Sequence, residues 1–479
     1  MITSRRMAAI DRNAIALGIP RRNLMESAGN ALSQAVKEVG TPGDVVTIVC
    51  GRGDNGGDGF AAARFLSEFE VRVVLVGEPR DFGSEATREN WAALEQATIE
   101  RSVHSDSSQL EGFDADVLVD GLLGTGVRGR IREPVRSAIE AINRSDGHVI
   151  SVDVPSGIDP DTGDSQGVAV EADHVVTFHD AKVGLDSLDV PVTVADIGIP
   201  RAAHRFVGPG DRLVLDGRDA SAHKGDHGRV LVVGGGPYTG APTLSALAAL
   251  RAGADLAEVA TPSLAAESAA GMSPDLLVTE LPGERLTPAH LELLEGSIDR
   301  ADVLAIGPGL GDHPDTLEAA ATLIEADLDT IVVDADALGA LPRASPTAEV
   351  IATPHAGEFT ELGFDRPEDW QHGEELVTEA ARELEATVLL KGRYDVISNG
   401  ERTAVNRTGN PGMTVGGTGD VLTGVTAALA HRGTSIEAAA VAAWVTGRAG
   451  DICLEETGFG FLASDLIKAI PAANALEEM

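Results

Sequence analysis

Lysine is nearly absent. Five of 479 residues are lysines (Lys37, Lys182, Lys224, Lys391 and Lys468), and 37 Lys+Arg stand against 75 Asp+Glu for a formal net charge of −38. So small a basic share argues against nucleic acid or an anionic membrane as the main partner, since both are bound through basic surface. The acids are scattered and form no tail, which makes the charge a property of the whole surface. Such a surface suits a cytoplasm of high salt, where counter-ions screen the self-repulsion. Cysteine is scarce too: Cys50 and Cys453 provide neither a disulfide framework nor a metal-ligand spacing. Aromatic residues are 3%, so the cores must be built from Ala, Val, Leu and Gly. No apolar run reads as a membrane span. The longest uncharged stretch, Val230–Leu250, is broken by Gly234, Gly235, Gly236, Pro237, Gly240 and Pro242 and suits strand, loop and helix. Arg5-Arg6 would suit a twin-arginine signal, but Asp11, Arg12 and Asn13 interrupt the apolar region that must follow. A soluble cytoplasmic protein is expected.

What is present is ordinary globular material, 43% hydrophobic and 23% charged. The length leaves room for about two to four domains. Asn23 is placed to cap a helix, with Glu26 three residues on and apolar positions out to Val39. Short apolar runs then recur at Val45–Cys50, Val71–Gly77, Asp116–Gly121, His148–Gly157 and His174–Phe178. Separated by helical stretches, they predict a parallel sheet covered on both faces. Pro and Gly grouped around Gly208–Gly210 reset the pattern. A second series follows at Arg229–Gly236, Asp302–Gly311, Thr330–Leu338, Glu349–Glu358 and Thr387–Gly392. Two long apolar helices close it, Asp420–His431 and Ile436–Leu454. The boundary is placed near residue 212, and the two halves share no motif.

In the first half, GRGDNGGDG (Gly51–Gly59) follows a strand and opens a helical pattern. Gly51, Gly53 and Gly56 formally satisfy the dinucleotide spacing GxGxxG, with Glu78 near the expected distance beyond. Asp54 and Asp58 argue against a plain pyrophosphate loop; with Asn55 they offer hard oxygens for a cation or for hydroxyl and amide groups. Asp120 ends one strand, and Asp153 and Ser156 lie just beyond another. Carboxyl ends of parallel strands converge on one crevice, so Asn55, Asp58, Asp120, Asp153 and Ser156 are expected to meet there.

LMESAG (Leu24–Gly29), NGGDG (Asn55–Gly59), DGLLGTG (Asp120–Gly126), VDVPSGID (Val152–Asp159) and Lys182-Val183-Gly184-Leu185 resemble the NAD(P)H-hydrate epimerase domain, in order across roughly residues 1–210. The resemblance implies a potassium site at Asn55, Asp120 and Ser156. It also implies substrate binding by Asn55, Gly56, Gly57, Asp58 and Gly59, by the loop Gly124, Thr125, Gly126, Val127, Arg128, Gly129 and Arg130, and by Asp153. Asp153 is the expected acid/base, because epimerisation needs reversible ring opening and proton transfer, with Lys182 as its helper.

NPGMTVGGTGDVLTG (Asn410–Gly424) is the most informative stretch of the second half. Gly416, Gly417 and Gly419 strip side chains from a helix start, leaving amides free to hold phosphate. Asp420 beside transferred phosphate suits a base that accepts the proton of an attacking hydroxyl. The pattern resembles the ribokinase-like fold. HKGDHGRVLVVGG (His223–Gly235), the stretch Tyr238–Ala254, AIGPGLG (Ala305–Gly311), DADAL (Asp334–Leu338), TPHAGE (Thr353–Glu358) and LLKG (Leu389–Gly392) narrow it to the NAD(P)H-hydrate dehydratase domain. The resemblance implies hydrate binding near Ala241, Gly309, His355 and Asp420. It implies nucleotide binding by Lys391, Gly392, Arg393, Tyr394, Asp395 and Gly419. His355 and Glu358 stand where ribokinase-like proteins carry an Asn-x-x-Glu element tied to magnesium and phosphate. The expected fold class is therefore α/β: an N-terminal Rossmann-like three-layer αβα domain at 1–212, then a C-terminal ribokinase-like αβα domain at 213–479.

The implied activity is repair of hydrated NADH and NADPH. The first domain would interconvert the R and S hydrates. The second would dehydrate the S form by phosphorylating its hydroxyl and eliminating phosphate, with Mg2+ and with ADP in preference to ATP, and K+ would serve the epimerase site. A homo-oligomer is expected on family grounds. The competing readings are a small-molecule kinase that releases a phosphorylated product, or a first domain that only binds nucleotide or oligomerises.

Overall fold

Residues 1–126, 129–218 and 221–475 are described by a computed structural model. The chain divides into two compact units, Met1–Arg201 and Ala202–Met479. The division falls ahead of residue 212 because the segment before it belongs to the second unit. There Val207 donates its amide to the Val405 carbonyl (3.0 Å) and packs with Ala404 and Ala440.

In the first unit, seven strands form one parallel sheet: β1 (Val45–Cys50), β2 (Glu70–Val76), β3 (Glu100–His104), β4 (Val117–Gly121), β5 (His148–Val152), β6 (His174–Phe178) and β7 (Val192–Ala195). Their order is β3-β2-β1-β4-β5-β6-β7. The interior strands β1, β4, β5 and β6 are near-continuous apolar runs because helices cover both faces. The edges β3 and β7 are partly solvated, which is why their sequences (ERSVH, VTVA) carry so weak a strand pattern. The strand order reverses between β1 and β4, so a crevice opens above their carboxyl ends. The helix expected to start at Asn23 begins earlier, at Arg21, behind Pro20. Proline is pre-set for the extended geometry that precedes a helix, so Asn23 falls inside the first turn. Glu26 is then free for another partner, the Arg64 guanidinium at 2.5 Å.

The second unit holds nine strands: β8 (Arg229–Val233), β9 (Leu256–Pro262), β10 (Leu277–Leu281), β11 (Val303–Ile306), β12 (Thr330–Val333), β13 (Glu349–Ala352), β14 (Thr387–Leu390), β15 (Asp395–Ser398) and β16 (Thr403–Asn406). Their order is β10-β9-β8-β11-β12-β13-β14-β15-β16. The sheet is parallel as far as β14; β15 and β16 append an antiparallel edge. The helices Thr418–Ala430 and Ser435–Thr457 are buried almost all round, as their lack of a polar face required. No described helix is long and apolar enough to cross a membrane.

Candidate active sites

The first site forms where β4, β5 and β6 end beside the helix Asp54–Ala63. Asp120 is fully buried. Its carboxylate accepts from the Ser156 hydroxyl (2.6 Å) and amide (2.8 Å), from the Ser151 hydroxyl (2.8 Å) and from the Leu122 amide (3.3 Å). No basic side chain pairs with it among the described residues, and burial raises its pKa against the pull of those hydrogen bonds. Asn55 donates to the carbonyls of Val152 (2.8 Å) and Leu123 (3.3 Å), while the Leu123 amide donates to the Ser156 hydroxyl (2.9 Å). Asn55, Asp120 and Ser156 therefore meet, as the sequence predicted. A Cβ on Gly124 would lie 2.3 Å from Asn55 Oδ1, so glycine there lets the loop close over the amide.

Asp153 sits beside this group in the left-handed region at φ 66°, a conformation few non-glycine residues adopt and one that clusters at functional sites. Its Oδ1 accepts from the Thr177 hydroxyl (2.9 Å), the Phe178 amide (3.2 Å) and the Lys182 ammonium. Lys182 is only 1% exposed. Its two remaining donors go to Thr177 Oγ1 (3.1 Å) and the Phe178 carbonyl (3.0 Å). It is thus no solvated surface lysine but a buried counter-charge that fixes one oxygen of Asp153. Asp58 is buried and makes no hydrogen bond among the described residues. Burial first, then Asp54, Asp153 and Asp11, push its carboxyl well above the usual range.

The glycines of this motif answer mainly to packing. A Cβ on Gly56 would meet the Gly51 carbonyl at 2.1 Å, one on Gly57 the Met25 side chain at 2.6 Å, and one on Gly59 the Cys50 sulfur at 2.7 Å. Gly53 has open space instead. Asp54 is occupied by Arg21 (2.8 Å) and Ser84 (2.6 Å). Thr125 and Gly126 lie in the turn after β4, whereas the expectations for Val127 and Arg128 fall outside the described residues. Gly129 and Arg130 line a cavity of about 1040 Å³ over the ends of β1, β2 and β3, with Arg52, Glu78, Arg132 and Arg136. Three of those arginines, Arg52, Arg132 and Arg136, were not anticipated; no local motif marks them.

The second site is built on Asp334, which ends β12 and is fully buried. It accepts from Lys391 (2.8 Å), Thr353 (2.8 Å) and Thr423 (2.6 Å). Burial would raise its carboxyl, but the Lys391 ammonium and the two hydroxyls outweigh it and hold the pKa below the usual range. Thr423 lies one turn beyond Asp420, so Asp334 locks the helix Thr418–Ala430 to the sheet. A Cβ on Gly419 would come within 3.6 Å of Lys391 Nζ, so the lysine rests against the glycine loop. Asp420, partly buried, has its pKa pushed up to about 7, by burial first and Asp334 second, with Lys391 pulling it back.

His355 is exposed and caps the helix Ala356–Glu361, its Nδ1 accepting from the amides of Gly357 and Glu358, both at 3.0 Å. It bridges to Lys391 across the ends of adjacent strands, and Glu358 lies 3.8 Å from the same lysine. Gly309 and Ala241 also meet, since a Cβ on Gly309 would be 3.2 Å from that of Ala241. Gly392 and Asp395 are tied to each other instead, the Gly392 amide donating to Asp395 (3.0 Å), which also holds Asn406 of β16 (2.9 Å). Burial lifts the Asp395 carboxyl to about 6. Arg393 and Tyr394 stand at the turn between β14 and β15.

Ser245 donates to the Asp420 carbonyl (2.8 Å), and a Cβ on Gly424 would stand 1.9 Å from the Ser245 carbonyl oxygen. Gly424→Ala must therefore push the two helices apart. A loss of about 1–3 kcal/mol is expected, seen as a lower Tm of the second unit while that of the first stays. An unchanged Tm would show that this close approach is not needed.

Comparison with known proteins bears on both sites. Residues 230–472 match the family model described as NAD(P)H-hydrate dehydratase, and residues 21–184 match that of the YjeF-related protein N-terminus. The bifunctional NAD(P)H-hydrate repair enzyme of Methanothermobacter thermautotrophicus is 45% identical over 97% of this chain and 94% of its own length. The chain belongs to this family of bifunctional repair enzymes. The NAD(P)H-hydrate repair enzyme of Pyrobaculum aerophilum is 47% identical over 98% of this chain and 97% of its own length. Among solved structures, a ribokinase-like superfamily protein from Enterococcus faecalis is 26% identical with a TM-score of 0.50, covering 56% of this chain and 95% of that one. A repair enzyme of this family thus carries its dehydratase on the ribokinase-like sheet.

Proposed function

We propose that the first unit interconverts the R and S hydrates of NADH and NADPH, and that the second dehydrates the S form at the expense of ADP. Fusion fits this pairing, because dehydration alone would strand the R epimer. The observation that carries the reading is the placement of Asp420 at the head of a glycine-led helix. There it stands beside a buried Asp334–Lys391 pair. Asp420 takes the proton of the hydrate's hydroxyl as that oxygen attacks the terminal phosphoryl group. The phosphate ester then eliminates, because phosphate leaves readily at neutral pH and hydroxide does not. The ring nitrogen's electron pair expels the phosphate, and a proton then leaves the adjacent ring carbon so that its C–H electron pair forms the C=C bond of the dihydronicotinamide. Lys391 and the amides of Gly416, Gly417 and Gly419 balance the phosphate charge in a chain of strongly acidic surface.

Magnesium fits as an ion held through the nucleotide's own phosphates. No group of three or more His, Cys, Asp or Glu is placed to cage a metal among the described residues. Glu358, beside Lys391, is the carboxylate available to join it, and the ion would neutralise phosphate charge. Potassium fits the first unit better. Asp120 is a fully buried carboxylate without a basic partner among the described residues; it is bonded to the Ser156 hydroxyl, which also lies 3.4 Å from the Leu123 carbonyl to which Asn55 donates. A monovalent cation there would compensate the buried charge and hold the loop after β4. In that frame Asp153 moves the proton of the hydrate's hydroxyl, and Lys182 fixes its orientation. We further assign the enzyme to the cytoplasm as a homo-oligomer.

The test is purified enzyme with mixed hydrated NADH, Mg2+ and either ADP or ATP, following recovery of dihydronicotinamide absorbance. Full recovery with ADP is expected. Release of a stable phosphorylated hydrate would favour a kinase, and no recovery with either nucleotide would overturn the reading.

A further inference from the structure

Asp11 comes from the first helix, Ser4–Ala16, on the face that carries buried Met7 and Ala14 at helical spacing. The strand-like pairing of Ile2 with Lys182 pins the start of that helix to the lysine that holds Asp153. The Asp11 carboxyl makes no hydrogen bond or ion pair among the described residues. The charges that face it are Lys182 and Asp153 from the end of the sheet, Arg21 from the second helix and Asp54 from the third. Asp58, 7% exposed and likewise without a hydrogen-bond partner, faces the same group of charges and Asp11 itself. Four carboxyls thus share one site with two cations, and both cations are committed, Lys182 to Asp153 and Arg21 to Asp54.

Epimerisation through ring opening needs two proton carriers. One removes the hydroxyl proton as C=O forms. The other delivers a proton to the ring nitrogen, which takes the electron pair of the breaking C–N bond. After the aldehyde turns, the nitrogen attacks its opposite face and returns its proton, and the oxygen recovers its own. We propose that Asp11 is the proton donor to the ring nitrogen, opposite the Lys182-held carboxylate of Asp153. This rests on the epimerase reading of the first unit. Burial, offset by Lys182, lifts the Asp11 pKa to about 7, so near neutrality it both gives and retakes a proton. Asp58 beside it is likewise raised, by burial first.

The experiment compares wild type, Asp11→Asn and Asp11→Glu on purified R hydrate across pH 6–9, with dehydration of pure S hydrate measured in parallel. Asp11→Asn is expected to lower kcat for R-to-S conversion by about 10²-fold. KM and dehydration should be unchanged, and Asp11→Glu should restore part of the rate. The wild-type rate should fall above about pH 7 as the donor ionises, and this limb should vanish in Asp11→Asn. Epimerisation by Asp11→Asn within threefold of wild type would overturn the proposal. If Asp11→Asn lowers the melting temperature of the first unit, the wild-type profile decides: a rate flat from pH 6 to 9 overturns it equally. Wild-type enzyme that does not speed R-to-S conversion above the spontaneous rate would instead defeat the epimerase reading itself.

Discussion

Asp420→Asn is expected to lower dehydration of the S hydrate by about 10²–10⁴-fold while leaving R-to-S conversion untouched. Asparagine keeps the size of the side chain and its place at the helix start but cannot accept a proton. The Ser245 contact to the residue 420 carbonyl and the Asp334 grip on Thr423 involve no atom of the Asp420 side chain, so the fold should stand. The pH dependence follows from the carboxyl's position near pH 7. A base must be ionised to act, and burial disfavours the ionised form. The wild-type rate should therefore fall about tenfold per unit as pH drops below 7, provided the hydroxyl attack limits turnover. Dehydration by Asp420→Asn above a tenth of the wild-type rate would remove Asp420 from the role of base. A profile flat down to pH 5.5 would remove its raised pKa from the mechanism.

The two sites differed in how far they could be read from the residues. The second lies largely in contiguous motifs: a glycine loop announces free amides, and its acid follows directly. The strands β8 and β11–β14 were legible because buried parallel strands are unbroken apolar runs. The edge strands β3, β7, β10 and β16 were not, because edge strands keep polar residues that blur the pattern, and β9 and β15 were missed with them. The first site was legible only in part. Asn55, Asp58, Asp120, Asp153 and Ser156 could be gathered by the rule that parallel strands end on one crevice. Hydrogen bonds link Asn55, Asp120 and Ser156, and Asn55 reaches the Val152 carbonyl beside Asp153, whereas the Asp58 carboxyl makes no hydrogen bond among the described residues. The helical face of Asp11 could not be tied to them, because the pairing of Ile2 with Lys182 spans almost the whole unit. In the sequence Asp11 is merely a charge in a helix. Asp334 has no charged neighbour in its motif except Asp336; its pairing with Lys391 crosses 57 residues and appears only in three dimensions. Gly56, Gly57 and Gly59 also serve close packing, a reason for glycine that the motif itself does not announce.

The largest effect on the first unit is expected from Lys182→Met. Methionine fills much the same volume but removes the ammonium, leaving Asp153 buried, its Oδ1 still bonded to Thr177 and Phe178 but without counter-charge. Breaking one side of a buried ion pair costs about 3–5 kcal/mol. The Tm of the first unit should drop accordingly while that of the second stays. Epimerisation should fall by about 10²-fold or more, since the carboxylate that moves the hydroxyl proton would lose the partner that orients it. Asp153→Asn alone should stop only the part of hydrate recovery that is fed by the R epimer. Pairing the two changes separates charge from shape. In the double variant no uncompensated carboxylate remains, so it should be more stable than Lys182→Met alone, although it has lost one more native group. Additive destabilisation would mean that Lys182 acts by filling space. A stable, active Lys182→Met enzyme would mean that Asp153 keeps its place through Thr177 and the Phe178 amide alone.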